Sequence, residues 1–98
     1  MEQRFREAMV NYYVKNVERV AAFYCDNFGF EETFRTPEAG TAVHIEVRLG
    51  NFLLGFADIE AARAMHNLTL NLGLPRGEVA MWTDDVDAVH ETLVSKGV

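Results

Sequence analysis

The chain has 98 residues, 49% of them hydrophobic, and carries 9 basic against 15 acidic side chains for a formal net charge of −6. That length fits one domain with a single modest core, and the apolar share is too high for a disordered chain. The acidic balance argues against nucleic acid and against anionic membrane surfaces, while a cationic small molecule is tolerated or attracted.

Residues 8–14 are rich in β-branched and aromatic types and predict a first strand. Asn16 then offers a helix cap. Val17, Val20, Ala21, Tyr24 and Phe28 recur at helical spacing, and Gly29 stands where a left-handed stop belongs. A helix over 17–28 follows. Phe30 to Thr36 predicts a second strand, ended by Pro37 and Gly40. The clearest alternation in the chain covers 41–49: Val43, Ile45, Val47 and Leu49 point one way, His44, Glu46 and Arg48 the other. Gly50-Asn51 signals a hairpin, with 52–57 as the returning strand.

Residues 59–66 predict a short Ala-rich helix, and Asn67, Asn71, Gly73, Pro75 and Gly77 mark a linker. The pattern then restarts. Glu78 to Thr83 predicts a strand, Asp84 or Asp85 a cap, and Val86, Val89, His90 and Leu93 the buried stripe of a helix that Gly97 ends. Strand, cap, helix and glycine stop thus occur twice, and the second copy breaks off at Val98. The expected organisation is a first βαβββ unit over 1–58, a linker over 59–76, and the start of a second unit over 77–98.

The lone Cys25 has no partner for an internal disulfide, the first residues lack the apolar core of a signal peptide, and no apolar run nears the roughly 20 residues of a membrane span. A cytoplasmic protein is expected. Cys25 has no basic residue within a helical turn and reads as structural. The acidic trio Asp84, Asp85 and Asp87 suits a helix start better than a metal.

The run Val-Lys-Asn-Val-Glu-Arg (14–19), Phe23-Tyr24 and Asn27-Phe28-Gly29-Phe30 resembles the opening of vicinal oxygen chelate domains, the glyoxalase and bleomycin-resistance superfamily. Met81 to His90 with Lys96-Gly97-Val98 resembles the start of their second module. The likeness spans roughly 9–98. It implies an α+β fold in which paired βαβββ modules form a curved sheet around a cavity, here with the second module truncated after its helix. Most of these motif residues are packing residues: Phe23 and Tyr24 read as core anchors. The resemblance also implies homodimers, and in enzymatic members a divalent metal held by ligands from the first and last strands of each module.

Aligned on that pattern, the first ligand position falls at Met9 and the second near Gly55, neither a donor for a hard cation. Glu78 is the one family-position candidate. No full metal site, and no cofactor, is expected. A lone histidine is more often a surface or core residue than a ligand, and His44, His66 and His90 are read that way.

The strand faces opposite the packed set are expected to line the cavity: Met9, Asn11 and Tyr13; His44, Glu46 and Arg48; Glu78, Ala80 and Trp82. Aromatic area with a few polar groups is the make-up of a small-molecule pocket. Asn11, Tyr13, His44, Glu46, Arg48 and Trp82 are the candidate ligand-binding residues. The expectation is a binding protein for a small molecule. A metal-dependent lyase, isomerase or ring-cleaving dioxygenase is the alternative, in which a divalent metal would polarise two neighbouring oxygens.

Overall fold

The computed structural model describes residues 5–67, 69, 73 and 78–98. Its elements are β1 (Val10–Val14), α1 (Val17–Phe28), β2 (Glu31–Thr36), β3 (His44–Leu49), β4 (Phe52–Asp58), α2 (Ile59–His66) and α3 (Val86–Ser95). Helix ends follow the capping chemistry read from the sequence. Asn16 Oδ1 accepts the Arg19 amide at 3.0 Å, and Gly29 closes α1 at a φ of 77°. Asp58 Oδ1 accepts the Ala61 amide at 2.8 Å and so turns β4 directly into α2, a cap not read from the sequence. Asp85, of the two candidates, caps α3 through the Ala88 amide at 3.0 Å.

The strands form one open, curved sheet in the order β1-β4-β3-β2. β3 is antiparallel to both neighbours, whereas β1 runs parallel to β4. The β1–α1–β2 connection therefore spans the whole sheet, laying α1 across one face. Val17 and Ala21 of the helix pack there against Ile45, Val47, Leu54 and Phe56, with Phe30 and Ala42 at the margins. Ile45, Val47 and Leu54 are fully buried. Tyr24 seals this core, its ring 5.4 Å from Phe30 and 5.2 Å from Phe56. Phe23 is not a core anchor as the motif suggested. It points outward, 40% exposed, and meets only the edges of Tyr24 and Phe28 among aromatic rings of the described residues.

A charged clip ties α1 to β2. Arg35 Nη1 and Nη2 donate to the two carboxylate oxygens of Glu18 at 2.8 and 3.1 Å, and Nε and Nη2 donate to Glu32 at 2.9 and 2.7 Å. Glu18 Oε1 also accepts the Ala42 amide at 3.2 Å. The Arg35 hydrogen bonds hold both carboxyls below their usual range and push the guanidinium value upward.

Three expectations change. Residues 78–83 form no strand, since no neighbouring strand among the described residues offers them a ladder. Val86, Val89 and His90 are exposed and Leu93 is half-buried, so α3 has no buried stripe. Its contact is with the end of α1, where it shares a shallow groove with Asn27, and Lys96 Nζ donates to the Asp26 carbonyl at 2.6 Å. Finally, β3 begins at His44, which frees Val43 from the alternation that buries Ile45 and Val47. The linker positions Asn71, Pro75 and Gly77 lie outside the described residues.

Candidate functional site

Strand register determines which side chains stand together on the face away from α1. Asn11 pairs with Gly55, Gly55 with Glu46, and Glu46 with Phe34, giving one row across the sheet. A β2 irregularity between Glu32 and Phe34 sets that last pairing. The next row is Tyr13, Ala57, His44 and Thr36. β4 thus presents its two smallest residues between larger ones on β1 and β3. Neighbouring strands lie about 4.8 Å apart, so the flanking backbones stand roughly 10 Å from each other across this floor. The result is a trough along β4, its walls built by Asn11 and Tyr13 on one side and by His44 and Glu46 on the other.

Over Ala57 the trough opens into a cavity of about 280 Å³. Asn11, Tyr13, Thr36, Val43 and His44 line it from the sheet, and Asp58, Ala61, Ala62, Met65 and His66 close the end from α2 and its cap. Over Gly55 the space is filled instead. A Cβ there would sit 2.6 Å from Asn11 Oδ1 and 2.9 Å from Met9 Sδ. Asn11 Oδ1 is buried without a hydrogen-bond partner. His44 Nε2 lies 2.9 Å from Glu46 Oε2, and the His44 ring is 6.1 Å from that of Phe34.

Of the residues expected to line a pocket, Asn11, Tyr13 and His44 do so, and Glu46 supports His44 from the adjacent row. Arg48 lies farther along the face and pairs with Glu7. Trp82 is 92% exposed and is not part of the trough, because the segment carrying it joins no sheet. Glu78 and Ala80 are exposed for the same reason. The wall from α2 was not foreseen. Ala62, Met65 and His66 recur at helical spacing, a stripe that faces the trough and that the sequence displays without saying what it covers. Cys25 is half-buried on α1, and burial first, then the charges of Glu32 and Asp26, push its thiol up and away from nucleophile behaviour.

Met9 and Gly55, the places where family metal ligands would fall, are neighbours in space. A thioether and a hydrogen atom do not fit a hard divalent ion. Among the described residues no three His, Cys, Asp or Glu side chains are grouped so as to hold one. No described helix is long and apolar enough to cross a membrane.

The family model described as the Glyoxalase/Bleomycin resistance protein/Dioxygenase superfamily matches residues 8–98. The chain belongs to that superfamily. A search of curated proteins gives no match. Among solved structures of this fold, TioX from Micromonospora sp. ML1 superposes with a TM-score of 0.63 at 18% identity, covering 95% of this chain and 73% of that one. A glyoxalase/bleomycin resistance protein/dioxygenase family enzyme from Burkholderia phytofirmans PsJN superposes with a TM-score of 0.61 at 22% identity, covering 91% and 71%. The superfamily's α+β architecture is therefore the architecture of this chain, including the curved sheet. At these identities the likeness concerns the fold and leaves the chemistry to the residues.

Proposed function

We propose that this superfamily member binds a small molecule in the trough over β4, and does so without a divalent metal. The observation that carries the reading is the arrangement of Tyr13 and His44 as opposite walls over Ala57, with α2 closing one end. Small floor residues between polar and aromatic walls, beside an apolar end, are what a small guest needs to be both enclosed and oriented. The formal charge of −6 and the Asp58 carboxylate at the rim favour a cationic or neutral guest over an anionic one.

Two copies pairing is part of the same reading. Phe34, 48% exposed on the trough face, leaves apolar area for a second chain to cover. Cytoplasmic action is likewise inferred, from the single thiol.

The test is a screen of small aromatic fragments against nitrogen-labelled protein, following the backbone amides of Ala57 and Ala61. Binders that shift these amides, and that lose affinity in Tyr13→Ala, support the reading. Shifts confined to other surfaces overturn it. Near-stoichiometric nickel, zinc, manganese or iron in the purified protein would overturn the metal-free part and favour a metal-dependent lyase, isomerase or dioxygenase.

A further inference from the structure

His44 and Glu46 are two residues apart on β3 and so share the trough face. With Nε2 of His44 at 2.9 Å from Oε2 of Glu46, one ring nitrogen is already engaged. A carboxylate offers only acceptor atoms. In the neutral ring the proton therefore sits on Nε2, and Nδ1 is a bare acceptor. His44 lines the cavity, so Nδ1 is the polar ring atom left for a guest. Its side chain is 20% exposed and rests near the Phe34 ring, surroundings that hold the imidazole in one orientation.

Of the other polar groups at the cavity, the Tyr13 and Thr36 hydroxyls can accept as well as donate. Asn11 Oδ1 has no donor but is buried against Gly55, where the trough is filled. Asp58 gives one oxygen to the Ala61 amide and keeps further lone pairs. Among the described residues no lysine or arginine lines the cavity.

Building on the small-molecule reading above, we infer that the trough selects guests that carry an O–H or N–H donor and no negative charge, a phenol being the simplest. The donor is received by Nδ1 of His44, and Glu46 fixes the tautomer that makes this possible. His44 is the specificity residue and Glu46 its positioning partner.

The experiment compares 4-cyanophenol with its O-methyl ether, molecules of nearly the same shape of which only the first has a donor. Binding near neutral pH is followed through the Ala57 and Ala61 amides. The phenol is expected to bind about tenfold tighter, the effect of one hydrogen bond to an acceptor otherwise left unpaired. His44→Phe should bind both probes alike at the ether's affinity, and its retained ether binding shows that the variant is folded. Glu46→Gln, whose amide can donate as well as accept, should lose most of the preference while still binding the ether. Equal affinity of the native protein for both probes overturns the donor inference and leaves the binding reading standing. No binding of either probe to the native protein counts against both.

Discussion

Asn11 Oδ1 lies 2.6 Å from the point where a Cβ on Gly55 would be, directly across the β1–β4 pair, and it has no hydrogen-bond partner although it is buried. An unmatched acceptor in that position weakens the fold by its lost hydration. Asn11→Ala is therefore expected to leave the urea midpoint unchanged or to raise stability by up to about 1 kcal/mol, while reducing affinity for trough ligands. A loss near 2 kcal/mol would show that Asn11 supports the fold and not the site.

The same close approach makes Gly55 intolerant of branching. Gly55→Val forces both Asn11 Oδ1 and Met9 Sδ, at 2.6 and 2.9 Å from the new Cβ, to move. The expected cost is about 1–3 kcal/mol, read from denaturant unfolding. Met9→Ala combined with it should recover part of that loss, because the Met9 side chain is one of the two obstructions. Additive losses would refute this.

The Arg35 clip sets an acid limit on stability. Glu18 and Glu32 titrate below their unfolded values because Arg35 donates to their charged forms. Their contribution is fully present above the ordinary carboxylate range and is lost as pH falls through the depressed folded values. Native protein should thus lose stability on acidification more steeply than Arg35→Met, in which the Glu32 shift is lost and Glu18 keeps only the part that comes from the Ala42 amide. Urea midpoints measured from neutral pH downward give the comparison; parallel curves would contradict it. Both carboxylates are solvent-accessible, so the difference should also shrink in high salt.

Phe56 is 1% exposed and stands at the centre of the core between Tyr24 and the sheet. Phe56→Ala should cost about 3–5 kcal/mol, enough to unfold much of a small domain at ambient temperature. Circular dichroism with urea melts measures it. Trp82→Ala, by contrast, should stay within about 0.5 kcal/mol of the native protein, since its ring is 92% exposed.

The legible part of the fold is the part set by local chemistry. Asn16, Gly29 and Asp85 act at backbone positions fixed by their immediate neighbours, so their roles follow from sequence order. The alternation of His44, Glu46 and Arg48 against Ile45 and Val47 likewise identified the trough wall, because a strand has only two faces. What failed depended on partners distant in sequence. Glu78 to Thr83 has strand composition, but a strand exists only beside another strand. Trp82, placed in the cavity on that assumption, followed the segment into solvent. The α2 wall was missed for the opposite reason: Ala62, Met65 and His66 share one helix face, but nothing in their spacing says that this face borders the trough.

β1 joins the sheet at its edge, parallel to the last strand of the module, after α1, β2 and β3 have intervened in the chain. Neighbours so far apart in sequence close the largest loop in the sheet, which makes this edge the costliest one to assemble. Opening of the β1–β4 pair would leave the β2-β3-β4 meander hydrogen-bonded. Because Tyr13 and Asn11 travel with that strand, such local opening dismantles one side of the trough while Ile45 and Val47 stay packed. Occupancy of the trough and amide protection of Val10–Val14 are therefore thermodynamically linked, so that a bound guest acts as a latch on the sheet's parallel seam.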